Sequence, residues 1–272
     1  MNWKRRIGQV LVFVALTILT QIGGIVYLAS KLAAAAMGMR RSSATLLAFI
    51  LIYVAATASA SMVAPIFGRV PISCTTRASD TVAVQSSIYC LLNRNYVTPS
   101  MLNLVSALAV DVNQKFPGTT TVVLDGNFPF WDGFPLLPHL SHSDGRKLDI
   151  AFYYKDTNGD FINRATRSPV GYFAFEQASP GDEQPCKGRR DILTTRWDLD
   201  WLQPLFPTYS IEEKRTAFAL EWLATEGVRR FGLDKVFIEP HLRNALGQTG
   251  DAIRFQGCRA ARHDDHIHIQ VH

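Results

Sequence analysis

The chain has 272 residues, enough for one medium-sized domain plus membrane segments, with 28 Lys and Arg against 23 Asp and Glu. Part of that basic excess, Lys4, Arg5, Arg6, Lys31, Arg40 and Arg41, flanks apolar runs, where it reads as a membrane-topology signal and gives no argument for nucleic acid. No basic–aromatic interleaving, phosphate-cradling glycine loop, Cys-x-x-Cys pair or internal repeat is present, which argues against nucleic-acid binding, nucleotide binding and a thiolate zinc cage.

The chain opens with two uncharged apolar segments, at about 7–29 and 44–67. Each has the length of a membrane-crossing helix, roughly 20 residues. Residues 1–69 therefore read as a membrane region. Lys4, Arg5 and Arg6 favour a cytoplasmic N-terminus, and two simple crossings would then return the rest of the chain to the cytoplasm. Against this, Arg40-Arg41, the apolar run and Ala58-Ser59-Ala60 together read like a signal peptide, with Met37 or Met39 as a possible start. A first run crossing with its N-terminus outside gives the same result. Either route puts the domain outside the cytoplasmic membrane, on the periplasmic side. Cys74, Cys90, Cys186 and Cys258, all in the soluble part, suit two disulfides in such a compartment, with buried free thiols as the alternative.

Residues 70–97 read as a connector with a short helix, and 98–272 as the soluble domain. Thr98-Pro99 starts a helix that carries Leu102, Val105, Leu108, Ala109 and Val112 and ends at Pro117-Gly118. A β-branched strand follows at 119–124. Residues 125–144 form a long loop rich in glycine, proline and aromatics, a length that points to function. Strands are expected at 149–154 and 170–175. Asp156 to Asp160 reads as a hairpin turn, because position twelve of a calcium loop would be Arg167 where a glutamate is required. Residues 177–190 read as an excursion loop. Ser210-Ile-Glu-Glu213 predicts a capping box for a helix running to about Arg230, stopped by Gly232. A strand at 235–239, a short helix at 241–246 and a final strand complete an α+β domain, a small mostly antiparallel sheet with flanking helices.

The final strand carries the chemistry. In His263-Asp-Asp-His266-Ile-His268-Ile the alternation puts His266 and His268 on one face and the isoleucines on the other. Upstream, His142 ends the long loop and Asp149 starts a strand, with Gly145 between them to turn the chain. With one imidazole of the last strand this gives His142, Asp149 and His268, three nitrogen and oxygen ligands with an open fourth position. That is the composition of a catalytic zinc site.

These motifs resemble the zinc peptidases that share the fold of D-Ala-D-Ala metallopeptidases, lysostaphin-type enzymes and hedgehog. The similarity is closest to penicillin-insensitive murein endopeptidases. It lies in Ser141-His142, Gly145 and Asp149, in Val236-Phe-Ile-Glu-Pro240 with Leu242-Arg-Asn-Ala-Leu246, and in the terminal His263 to His268 hexad. It covers about 137–269, with a gap in the middle. Arg146 and Lys147 make the first motif more polar than the family pattern, and the residues before Thr119 have no counterpart in it. The resemblance implies that His142, Asp149 and His268 hold Zn²⁺ and that His266 is the base or transition-state stabiliser. It further implies that His139 lies near the metal and that His263 lines the cleft or orients a neighbour. Asp265 is a second candidate base, although strand alternation points it away from His268. Asp264 shares the ligand face only if the strand starts early, and Glu239, His241 and His272 read as structural. The implied activity is hydrolysis of amide bonds in peptidoglycan peptides by an endopeptidase or carboxypeptidase tethered to the membrane. A non-catalytic peptidoglycan- or metal-binding domain on the same scaffold is the alternative.

Overall fold

The first apolar run is not one crossing helix but a helical hairpin. In the computed structural model, which describes residues 3–38, 42–75, 77, 79–189 and 196–272, α1 (Trp3–Thr20) stops at Gln21 and α2 (Gly23–Ala36) folds back along it. Gln21 has a left-handed backbone, φ 65°, and the Thr20 hydroxyl bridges the break by donating to the Leu16 carbonyl and accepting from the Gly23 N–H. Glycine is needed at the start of α2, since a Cβ on Gly24 would lie 1.9 Å from Thr17 Oγ1. α3 (Ser42–Val63) runs on through a 3-10 turn, Ala64–Phe67. Among the described residues the stretch Ser43–Phe67 is the one helix long and apolar enough to cross a membrane. Met39, Arg40 and Arg41, which the signal-peptide reading uses, lie outside the described residues.

The segment expected as a connector is part of the fold. β1 (Val70–Pro71), β2 (Val82–Val84), α4 (Ser87–Leu91) and β3 (Tyr96–Val97) lie in it, and β1 pairs with β3. The Cys74–Cys90 disulfide closes this stretch on itself. α5 (Pro99–Lys115) starts where the sequence dictates, with Thr98 Oγ1 accepting from the Met101 N–H and Pro99 in the first turn. It buries Met101, Leu104, Val105, Leu108 and Val112. β4 (Thr121–Val123) then enters the sheet, and the long loop leads to β5 (Lys147–Ala151).

β6 (Tyr154–Lys155) and β7 (Phe161–Ile162) form a hairpin, its turn held by Asp156 Oδ1 accepting from the Asn158 and Asp160 N–H groups. Residues 170–175 are not the expected strand. Gly171 and Phe173 adopt φ of 78° and 72°, and the chain turns so that Tyr172 enters the functional cluster. β8 (Ser210–Ile211) adds to β6, so Ser210 is a strand residue and the expected capping box does not form. Glu212 caps α6 (Glu213–Trp222) instead, accepting from the Arg215 N–H. The helix continues through a wider turn at Leu223–Gly227 into α7 (Val228–Phe231), which Gly232 ends at φ 68°. β9 (Leu233–Phe237), α8 (Pro240–Ala245), β10 (Ile253–Arg254) and β11 (His266–Val271) follow.

The main sheet has the order β10-β9-β11-β5-β4-β2, antiparallel except for the β10/β9 and β2/β4 pairs. The architecture is mixed α+β. β11 lies between β9 and β5 and shows the alternation its sequence demands. Ile267 and Ile269, both 0% exposed, enter a core shared with Leu104, Leu108, Leu220 and Leu223 from α5 and the α6 region. Each contributes about 1.5–3 kcal/mol of burial. The opposite face of the same strand carries the histidines. The Cys186–Cys258 disulfide ties the excursion loop to the segment before β11.

Candidate metal centre

The centre forms where β5 and β11 pair. Their register puts Asp149 opposite His268, so one antiparallel cross-strand pair supplies two of the ligand groups. The long loop brings in the third. Asn127 fixes its shape, with Oδ1 accepting from the Gly145 N–H and Nδ2 donating to the Lys147 carbonyl. Arg69 is buried beneath the loop, donates to the Phe128 carbonyl and pairs with Asp132. Gly145, at φ 78°, leaves room for the Arg69 side chain, which a Cβ there would strike. His142 then projects inward, 1% exposed.

His142 Nδ1 lies 2.8 Å from the Gly126 carbonyl, which can only accept, so Nδ1 carries the proton and Nε2 presents its lone pair to the centre. His142 Nε2, His268 Nδ1 and Asp149 Oδ1 converge: 3.1 Å between the two rings, 3.3 Å from His142 to the carboxylate and 2.8 Å from His268 to it. Ligand atoms bound at roughly 2.0–2.1 Å in a tetrahedron lie about 3.3 Å apart, so three inward-facing donors already sit near ligand spacing. All three residues are buried, and all of the donors are imidazole nitrogen or carboxylate oxygen. The wider cluster falls into two groups, His139 with His142 and Asp149, and His263 with His266 and His268, each with ligand atoms within 4.8 Å of one another. These buried groups could hold a metal ion.

The surrounding residues hold the ligands in place. Tyr172 donates to Asp149 Oδ2 at 2.7 Å and accepts from the Asp125 N–H. Asp125 is held by a bidentate pair with Arg94, and its Oδ2 lies 3.1 Å from His139 Nδ1. His139 also lies 3.3 Å from Asp149 Oδ2. His266 Nδ1 pairs with Asp265 Oδ1 at 2.5 Å, while the other Asp265 oxygen accepts from the Phe173 N–H. His266 Nε2 is 3.6 Å from Asp149 Oδ1. The alternation argument that turns Asp265 away fails because β11 begins only at His266. Asp265 lies before the strand and turns back to orient the neighbouring ring.

Electrostatics follow from burial and these pairings. Burial would raise the Asp149 carboxyl, but His142 and His266 hold it well below the usual carboxylate range. Burial would lower His266, but Asp149 and Asp265 outweigh it and push the ring up to about 9. His268 is lowered to about 4 by burial, against its hydrogen bond to Asp149. Burial, with the neighbouring rings of His266 and His268, drives His263 well below the ordinary histidine range. The Tyr172 phenol is raised by burial and by Asp125 and Asp149, so at neutral pH it keeps the proton it donates. The result is a buried ionised carboxylate among imidazoles pushed in opposite directions: although burial lowers His142, Asp149 raises it, and His266 is raised as well, while His268 and His263 are lowered.

An open cleft lined by His139, Tyr172, Phe173, Trp197, Arg262 and His266 gives access to this cluster. Arg262 lies over the Phe175 ring at 4.0 Å and pairs with Asp264, whose carboxyl burial raises to about 6. His263 is not part of the cleft lining. It packs behind, with ring centroids 5.0 Å from His266 and 5.8 Å from Phe237. Glu239 is structural: it accepts from the His263 N–H and is bridged by Arg196. His241 is buried at the start of α8 against the Glu176 carbonyl, and His272 is exposed.

His139, His142, Asp149, His263, Asp265, His266 and His268 are thus brought together. Tyr172, Asp125 and Arg94 belong with them and are not legible in the sequence. Tyr172 looks like one more position of an apolar run, and Arg94–Asp125 is a pairing only the folded chain makes. No protein-family model matches this chain, and no curated protein sequence matches it.

Proposed function

We propose that this protein is a membrane-tethered zinc peptidase that hydrolyses amide bonds in peptidoglycan peptides, with its domain on the periplasmic side of the cytoplasmic membrane. The observation that carries this reading is the convergence of His142 Nε2, Asp149 Oδ1 and His268 Nδ1 at 2.8–3.3 Å, beside an open cleft. Two imidazoles and one carboxylate form a donor set suited to catalytic zinc, and the cleft reaches them through His139 and His266. Bound there, zinc supplies a Lewis acid that activates water and polarises a carbonyl. The rest of the chemistry belongs to this chain. His266, held by Asp265 and pushed up to about 9, lies at the cleft and keeps a proton at neutral pH that it holds against the developing oxyanion. Tyr172 and Asp125 fix the orientation of Asp149 and His139. The aromatic cleft wall of Phe173, Phe175 and Trp197 stands beside His266, on the side from which a substrate would approach the centre. The murein substrate rests on the resemblance of the His142–Asp149 and His263–His268 motifs. α3 as the membrane anchor, and the two disulfides, support the placement outside the cytoplasm.

The test is metal analysis of the purified full chain, followed by incubation with crosslinked murein, with and without a chelator, reading released peptides by mass. One zinc per chain and chelator-sensitive cleavage are expected. Zinc without cleavage would move the reading to a binding domain, and no zinc would undo it.

A further inference from the structure

An open groove of about 890 Å3 runs between α3 and the domain, on the side of the Cys74–Cys90 bridge. Val54 and Ala58 of α3 form one wall, and Ile72, Ile88 and Leu91 stand on the other; none of the lining residues is charged. We propose that this groove holds an acyl chain of a membrane lipid. The inference rests on α3 crossing the membrane, as in the reading above, but not on the metal centre.

The domain grips the helix at mid-length. Tyr53, near the middle of α3, donates to the Leu91 carbonyl at 2.6 Å and accepts from Asn93 Nδ2 at 3.2 Å. From Tyr53 to the end of α3 the helix rises roughly 15 Å. That is about half of a hydrocarbon core of about 30 Å. A crossing α3 therefore carries the α4 edge of the domain into the leaflet rather than leaving it above the headgroups. Such an edge must be apolar and must have its backbone groups satisfied. The α4 edge offers large apolar side chains, and the one carbonyl it turns to the helix is satisfied. Ile88 and Leu91 are 47% and 57% exposed, and the Leu91 carbonyl is taken up by Tyr53. The exposed stripe of α3, Leu46, Ile50, Val54 and Met62, leads along the helix past the groove. Lipid is thus continuous with the groove mouth, and a chain entering it meets only apolar and uncharged walls.

The experiment uses the full chain in phosphatidylcholine vesicles carrying a photoreactive diazirine on one acyl chain, with labelled peptides mapped by mass spectrometry. Labelling is expected on the α4 peptide as well as on α3. Ala58→Trp, at an exposed position in the groove wall, should fill the space and reduce α4 labelling several-fold, while Ala58→Ser leaves it unchanged. Resistance to alkaline extraction checks the anchor separately. Anchored protein labelled only on the α3 stripe would overturn the groove while leaving the membrane reading intact. So would α4 labelling indifferent to Ala58→Trp, or crosslinking of α4 to another polypeptide in place of lipid. Alkaline release of the protein would instead overturn the crossing on which the proposal rests.

Discussion

Asp149 is in contact with four of the side chains that make the centre: His142, His268, His139 and Tyr172. Its replacement by Asn keeps the shape but removes the charge, and metal analysis of Asp149→Asn should show loss of the bound ion. His266→Ala should retain the ion and lose about 10²–10⁴-fold in turnover, the contribution of a positioned acid–base group. Full activity in that variant would assign the proton transfer elsewhere. Tyr172→Phe removes one hydrogen bond to a ligand, and metal affinity or activity should fall by about 10–100-fold with the fold retained. His142, Asp149, His266 and His268 were legible because their spacing and strand period are properties of short stretches. Tyr172 was not, because its role depends on a turn at Gly171 and Phe173 that abandons the strand pattern around it. Asp265 was misplaced for the same kind of reason, a strand boundary one residue later than alternation assumes.

Elements with local signals formed as their sequences dictate. Thr98-Pro99 starts α5, Gly232 ends α7, and Ile267 and Ile269 face the core. The capping box at Ser210 failed because β8 claimed that residue for a sheet edge, a tertiary demand that a local motif cannot register. The loop between β4 and β5 depends on a buried pair, Arg94 with Asp125, and on the Arg94 bond to the Leu137 carbonyl. Arg94→Leu leaves Asp125 buried without its partner and should cost about 3–5 kcal/mol, read as a lowered midpoint in denaturant. Burial would raise the Asp125 carboxyl, yet Arg94 holds it below its ordinary value. A group whose folded pKa is depressed stabilises above its unfolded value of about 3.9 and loses that contribution as pH falls through the folded one. Thermal melting should therefore show an acid-side loss below about pH 4 that Arg94→Leu reduces but does not remove, since Asp149 is depressed as well. Reduction should also destabilise the protein, by roughly 3 kcal/mol for the Cys74–Cys90 loop and about 4.5 for the longer Cys186–Cys258 loop. An unchanged melting curve in reductant would remove the argument for an oxidising compartment.

Across the whole molecule, the N-terminal helices and the domain share a surface. Gln21, at the break between α1 and α2, accepts from the Phe130 N–H, and Phe67 packs edge-on against Phe130. Phe130 lies in the same loop as His139 and His142. A chain cut to begin near Arg69 loses both contacts, and hydrogen exchange in the 128–142 loop should be faster there than in the full chain. Equal protection would show that the loop is set by Arg69 and Asn127 alone. Composition marks two apolar runs, but not that the first of them doubles back. That depends on Gly24 meeting Thr17, and Gly23 meeting Thr20, at close range, which hydropathy does not record.

The position of β11 also sets an order of assembly. It separates β5 from β9 in the sheet, yet follows both in the chain, and His268 meets Asp149 across 119 residues of sequence. As the polypeptide emerges N-terminus first, His142 and Asp149 appear while their third partner is still unmade. Pairings of such long sequence separation are slow to form. The cluster that could hold an ion is therefore complete only once β11 has slotted between its neighbours. The topology makes completion of the centre a late step of folding rather than an early one.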